Sequence, residues 1–255
     1  MSVMTSTRPR KARMSVWGVV AELLLTASAL GWLFFLWYFT IGDVIQGSQQ
    51  EDAAAGIIQQ WERTDSRGPD ASEEPSEQGT ALTPPVVAPP SPGEAYALLY
   101  VPRFGPNYVR TIAEGVDVAT VLNSPTFGVG RYPRSSALGE IGNVAIAGHR
   151  TSFGASFGRI GDLRLGDRLY VEVEEGWYSY QFRNLEYVWP EQIDVLSAIP
   201  RMSDVDPRER ILTLTSCHPR FSAAERVIAY AVYDQWFPRE SGPPDEITHL
   251  IDRGA

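Results

Sequence analysis

The sequence has 255 residues, 44% hydrophobic and 21% charged, near the soluble average, which excludes a wholly disordered chain and a polytopic membrane protein. Its 22 Lys and Arg against 31 Asp and Glu leave a net charge of −9. That balance argues against nucleic acid as a partner, because phosphate binding needs a basic surface. One cysteine (Cys217) excludes an internal disulfide framework, and three histidines (His149, His218, His249) argue against a structural metal site.

Residues 1–15 carry Arg8, Arg10, Lys11 and Arg13 and no acid. Residues 16–41 are apolar except for Glu22, Thr26, Ser28 and Thr40, and Leu23 to Gly42 is uncharged. That is about the 20 residues a helix needs to cross a bilayer. Trp17 near one end and Trp37 and Tyr38 near the other suit interfacial belts. Basic residues before the span predict a single-pass protein, with residues 1–15 in the cytoplasm and the rest extracytoplasmic. Ala27-Ser28-Ala29 has the spacing of a signal-peptide cleavage site. The apolar run continues through Phe39, however, so a retained anchor is expected.

Residues 42–94 read as an extracytoplasmic linker. Glu51 to Glu62 has the pattern of a short amphipathic helix near the membrane surface, and the prolines from Pro69 to Pro92 lie among Ser, Glu, Asp and Gly. Such a stretch has few large apolar side chains to bury and should stay extended.

Residues 95–255 form the folded unit, and their apolar pattern mostly has period two. Leu169, Val171 and Val173 alternate with polar residues, and a turn at Glu175-Gly176 leads into Trp177–Val188, predicting a hairpin. Ala97–Val101, Asn143–Ala147, Ile211–Ser216 and Arg226–Tyr233 also read as strands. Val116–Leu122 and Asp245–Asp252 read as short helices. Many short strands separated by Gly and Pro turns predict an all-β closed barrel.

Cys217 ends one predicted strand before a break at Pro219. It reads equally as a nucleophile or as a small buried hydrophobe. His149 directly follows another strand, where Gly148 permits a sharp exit, and it could favour a thiolate. His218 is adjacent to Cys217, so on extended backbone its side chain faces the other way. Arg226 opens the strand after Cys217; if the two strands pair, it returns to the thiol's rim. A guanidinium there could hold a carbonyl oxygen gaining charge; the bland alternative is a surface arginine paired with Glu225.

The segment Thr213-Leu-Thr-Ser-Cys217-His-Pro-Arg-Phe-Ser-Ala, followed by Arg226, resembles the catalytic segment of the sortases. Asn143-Val-Ala-Ile-Ala-Gly-His149-Arg-Thr-Ser-Phe-Gly-Ala-Ser-Phe157 resembles their histidine segment. The Cys-His-Pro-x-Phe-Ser and Gly-His-Arg-Thr contexts are most similar to class E, the housekeeping type of actinobacteria. The resemblance covers nearly all of 95–255. It implies the eight-stranded sortase barrel and a cofactor-free thiol transpeptidase. In that reaction Cys217 would attack the Thr–Gly bond of a carboxy-terminal sorting signal (Leu-Ala-x-Thr-Gly or Leu-Pro-x-Thr-Gly), giving a thioacyl-enzyme. His149 would move the protons, and Arg226 would hold the substrate backbone and the oxyanion. The implied partners are surface proteins bearing the signal and a peptidoglycan-precursor amine.

Ser216 stands where the family usually has threonine and would keep a hydroxyl for substrate beside Thr215. Gly130-Arg131-Tyr132-Pro133-Arg134-Ser135 replaces Gly-His-Tyr-Pro-Gly-Thr, adding two arginines expected at the surface. Val195, Leu196 and Ile199 fall in the substrate-lining loop, with barrel packing as the ordinary reading. No aromatic Asp-Pro lid motif occurs in 43–94 and no second span follows residue 233, which points to attachment of single proteins over pilus assembly. A hydrolytic cysteine endopeptidase and a non-catalytic membrane-tethered barrel are the alternatives.

Overall fold

The computed structural model describes residues 15–65, 83–202 and 205–251. The chain divides into two units, one ending at Ile41 and one beginning at Gly42. Helix α1 spans Val16–Asp65. In the first unit its apolar side chains are largely exposed, Trp17 at 82% and Trp32 at 73%. By length and composition this helix is apolar enough to cross a membrane. Residues 1–14, which include the basic cluster, lie outside the described residues.

The second unit is a closed barrel of eight strands. They are β1 (Ala95–Tyr100), β2 (Val109–Glu114), β3 (Gly128–Arg131), β4 (Gly142–Gly148), β5 (Arg168–Val173), β6 (Gly176–Val188), β7 (Arg210–His218) and β8 (Glu225–Pro238). The order around the barrel is β1-β2-β3-β4-β7-β8-β6-β5, and β1 closes on β5. The pairs β2–β3 and β4–β7 are parallel and the others antiparallel. The expected hairpin is β5–β6, where Val173 pairs with Gly176. The expected helix at Val116–Leu122 is a single π-type turn, Val118–Leu122, capped by Asp117, whose Oδ1 accepts from the amides of Ala119 and Thr120. Of the helix expected at Asp245–Asp252, the structure keeps Thr248–Ile251 as α2, and Asp252 lies outside the described residues.

Alternation along the strands decides what fills the barrel. Val144 and Ile146 of β4, Leu212 and Leu214 of β7, and Val227, Ala229 and Ala231 of β8 all belong to the central apolar cluster. Because successive side chains on a strand take opposite faces, the residues between them face outward. This places the odd-numbered residues of β7 (Thr213, Thr215, Cys217) and the even-numbered ones of β8 (Arg226, Ile228, Tyr230) on the outer wall.

Arg131, expected at the surface, is 2% exposed. Its Nε and Nη2 donate to the two carboxylate oxygens of Glu114 at 2.7 and 2.9 Å, and its Nη1 donates to the carbonyls of Ser135 and Ser136. The residue builds the β3–β4 connection from within. Removing one partner of such a pair leaves an uncompensated buried charge, which costs about 3–5 kcal/mol. Glu114→Ala is therefore expected to lower unfolding stability by about that much, read from the urea midpoint.

Residues 42–65, expected to begin the linker with a short helix at Glu51–Glu62, belong to the second part of α1, which packs on the barrel. Ala54 and Ile58 are buried with Leu98, Tyr100, Tyr170 and Trp177 of the strands and with Leu250 and Ile251 of α2. Glu51 accepts from the Nη1 of Arg110 on β2 at 3.0 Å. The barrel thus covers the apolar face that was expected near a membrane surface. Residues 83–94 also lie on the barrel: Val87 bridges to Leu138, and the Pro85 carbonyl accepts from the Tyr178 hydroxyl. The intervening proline- and acid-rich residues 66–82 lie outside the described residues.

Candidate active site

The site is built from three neighbouring strands. On β7 and β8, Cys217 and Arg226 are direct register partners, and the hairpin closes one pair later at His218 and Glu225. Directly opposed residues in an antiparallel pair share a face, so the thiol and the guanidinium lie side by side on the outer wall. On the other flank, β4 runs parallel to β7 with Ala147 beside Thr215. Continuing that register places His149 at the level of Cys217. The Ser216 hydroxyl fixes this edge by donating to the Gly148 carbonyl at 2.7 Å. Cys217 and Arg226 thus share one stretch of wall, and His149 leaves the end of β4 on the side of β7 away from Arg226.

Each side chain has a distinct environment. Cys217 is half-buried and not in a disulfide, so the residue is partly open to solvent. Arg226 Nη1 donates to the carbonyls of Ala223 and Glu225 at 3.0 and 2.9 Å. Among the described residues no carboxylate pairs with it, and Glu225 lies instead 3.9 Å from the Nε2 of His218. The guanidinium charge is held in place and left free for a ligand. His218 stacks on Tyr187 with ring centroids 4.2 Å apart, away from the thiol's face.

His149 is half-buried, and burial lowers its imidazole pKa below the ordinary 6.5, with the Asp43 carboxylate pulling weakly the other way. Its Nε2 is 2.8 Å from Asn123 Oδ1. That side-chain amide beside Nε2 fixes the orientation of the ring. Asn123 ends the turn capped by Asp117, where its amide bonds the Val118 carbonyl. Phe153 packs on the opposite side of the ring, centroids 5.2 Å apart. Neither neighbour is expected from the sequence, because Asn123 sits 26 residues before the histidine in a turn of unremarkable composition.

The expected substrate-lining residues divide. Thr215 shares the outer face with Cys217, and its hydroxyl meets the Tyr132 hydroxyl at 3.1 Å. Tyr132 lines a mostly apolar cavity of about 280 Å³ with Pro133, Arg134, Ser135 and Leu196. Leu196 is thus a wall residue. Val195, by contrast, is buried against Val188, Ile228 and Tyr230, so it is packing. Ile199 lines a separate cavity with Val205, Asp206, Arg208, Glu209 and Ile211. Ser216 is 4% exposed, and its hydroxyl donates to the Gly148 carbonyl, so it ties β7 to β4. Among the described residues no group of three or more His, Cys, Asp or Glu side chains could hold a metal ion.

The sequence profile of the sortase domain matches residues 99–234, which include all three residues. Sortase SrtE1 of Streptomyces coelicolor is 28% identical over 234 residues, 89% of this chain and 60% of the relative. The chain thus spans less than two thirds of that protein's length. Among solved structures, the SrtA sortase from Actinomyces oris is 36% identical with a TM-score of 0.61, covering 64% of this chain and 93% of that one. Sortase E from Streptomyces avermitilis is 30% identical with a TM-score of 0.55, covering 62% and 99%. The profile covers more than half of the chain, and the relatives include sortases of class E: this chain belongs to the sortase family.

Proposed function

We infer that this chain is a membrane-anchored cysteine transpeptidase acting on carboxy-terminal sorting signals. The observation that carries the reading is the opposition of Cys217 and Arg226 across β7–β8, with His149 directly after the end of β4, the strand that flanks β7 on its other side. The Cys217 sulfur attacks the Thr carbonyl carbon, and its proton passes to His149. Arg226 donates to the oxygen gaining negative charge. The C–N bond to Gly breaks as His149 delivers the proton to the leaving amine, which leaves a thioester. An incoming amine of a peptidoglycan precursor then attacks, His149 takes its proton, and the C–S bond breaks.

An imidazole held below its usual pKa is mostly neutral near pH 7, which suits it to accept that second proton. The apolar cavity between Tyr132 and Leu196 suits the leucine of a Leu-Ala-x-Thr-Gly or Leu-Pro-x-Thr-Gly signal, since an extended peptide laid along Thr215 toward Cys217 would enter it. Anchoring through residues 16–41, with the amino end cytoplasmic and the barrel outside, would place the site among surface proteins leaving the cell.

The test incubates the full chain in detergent with a Leu-Ala-x-Thr-Gly peptide and an excess of amine, then weighs the products. The expected product is the peptide truncated after Thr and joined to the amine. The free Thr acid alone would replace transpeptidation with hydrolysis, and uncut peptide would overturn the reading.

A further inference from the structure

We propose that the segment Asp43–Gln50 of α1 is a working part of the active site, a clamp that fixes both neighbours of the His149 ring. This rests on His149 being the proton-transfer group.

The two groups that hold the imidazole, Asn123 and Phe153, sit on separate loops, and α1 grips both. Gln46 Nε2 donates to the Asn123 carbonyl at 3.1 Å and also reaches the Ser124 carbonyl. Gln50 Nε2 donates to the carbonyls of Ser124 at 3.0 Å and Phe153 at 3.1 Å, joining the loops through one amide. Asp43 accepts from the Ser152 amide at 3.0 Å. Residues 43, 46, 47 and 50 recur at the three- and four-residue spacing that gives one helix face, and Gly47 on that face is itself buried.

The seat of Gln50 is shaped for it. Gln50 is fully buried, and a Cβ at Gly128 or Gly154 would fall 2.7 or 2.5 Å from its side-chain amide group. Both glycines have positive φ, so the space and the backbone conformation require glycine together.

The gripped loop is strained. Ser152, Phe153 and Ala155 all have φ between 43° and 64°, a left-handed region costly for residues with a side chain. Such strain persists only where surroundings over-determine the conformation, and it clusters at functional sites. The hydrogen bonds from Asp43 and Gln50 land on Ser152 and Phe153, two of these three residues. The Phe157 amide closes the loop's far end on the His149 carbonyl at 2.8 Å. The clamp therefore sets where the ring points, while Cys217, Arg226 and the Tyr132–Leu196 cavity lie on other strands and loops.

The charged and titratable groups around His149 are Asp43 from α1, Cys217 from β7 with Arg226 beyond it on β8, and Arg150 on the histidine's own loop. Of these, the Asp43 carboxylate acts on the imidazole by favouring its protonated form.

The experiment compares full-length wild type in detergent with Gln50→Met, Asp43→Ala, Asp43→Asn and Ile58→Ala. Gln50→Met keeps the volume and loses the donors. Ile58→Ala loosens the same helix where it packs on Tyr170 and Trp177, away from the histidine. Misplacing an acid–base group by about 1 Å costs roughly a hundredfold. Gln50→Met and Asp43→Ala are therefore expected to lower kcat for peptide cleavage by roughly ten- to a hundredfold with KM little changed. Asp43→Asn, which keeps an acceptor for Ser152, should recover most of the Asp43→Ala loss. Ile58→Ala should lower the melting temperature and leave kcat alone.

A second readout does not need turnover: the NMR titration of His149, whose midpoint should move to lower pH in Asp43→Asn. If wild type fails to cleave sorting peptides, the transpeptidase reading falls, and the titration still decides the clamp. Unchanged kcat in both Gln50→Met and Asp43→Ala, a loss equalled by Ile58→Ala, or an unmoved His149 midpoint would overturn it.

Discussion

Cys217→Ala should eliminate both peptide cleavage and amine transfer, a fall on the order of 10⁴-fold or more. The magnitude follows from the chemistry. Cys217 is the one cysteine in the chain, so neither His149 nor Arg226 can replace it in forming the thioester, and no slower version of the same route remains. The fold should not suffer, because the thiol is half-exposed on the outer wall and outside the central cluster. Replacing a side chain so placed shifts stability by about 0.5 kcal/mol or less. Intact-protein mass after mixing with sorting peptide provides the measurement. Wild type should gain the mass of the acyl group up to Thr, and that adduct should vanish on adding hydroxylamine. Cys217→Ala should gain nothing while keeping its melting temperature. Residual cleavage in the variant above a hundredth of wild type would move the nucleophile elsewhere.

The reason the thiol and guanidinium could be placed from sequence is local. Cys217 and Arg226 stand on consecutive strands joined by a short loop, and alternation of Leu212, Leu214, Val227 and Ala229 fixes which face each takes. The His149 strand announced itself by a run of small and branched residues ending at Gly148. Two strands did not. β3 is Gly-Val-Gly-Arg, half glycine and poor in the branched residues that favour sheets. In β2 all six residues are buried, including Arg110 and Glu114, so the polar-out alternation that marks a half-exposed strand is missing. The charges there are satisfied by Glu51 and Arg131, partners that lie far off in sequence or on another strand.

In the second part of α1 the expected helix at Glu51–Glu62 is present, but the turns before it that join it to the apolar span were hidden for the same reason. Its barrel-facing stripe begins with Asp43, Gln46, Gly47 and Gln50 and turns apolar only at Ala54 and Ile58. A polar stripe reads as solvated until its partners are known. Its partners are backbone carbonyls that accept from Gln46 and Gln50 and the Ser152 amide that donates to Asp43, all more than 70 residues away, which no periodicity reports. Ser216 and Val195 are likewise held by partners that their residue types do not announce. Their residue types suit a binding wall, but strand phase and the Trp189–Val205 loop turn them to Gly148 and to the Ile228–Tyr230 patch.

Arg226→Ala is expected to lower the rate of acylation by roughly 10²–10³-fold, the usual cost of deleting one oxyanion donor from a site that keeps its nucleophile. Two features of the structure set the direction. The side chain is anchored by the carbonyls of Ala223 and Glu225, neutral acceptors that orient the guanidinium without cancelling its charge. Its register partner is Cys217 itself, so the remaining N–H groups lie beside the carbon under attack. Lysine offers a point charge on a flexible stem and cannot hold two backbone carbonyls and an oxyanion in one plane. Arg226→Lys should therefore recover no more than about a tenth of wild-type rate. Single-turnover acylation, followed by rapid quench and intact mass, separates this step from transfer to the amine. Both variants should alkylate at Cys217 with iodoacetamide at close to the wild-type rate, since the thiol remains exposed. A Lys variant as fast as wild type would reduce Arg226 to a source of positive potential. An Ala variant as fast as wild type would remove it from the reaction altogether.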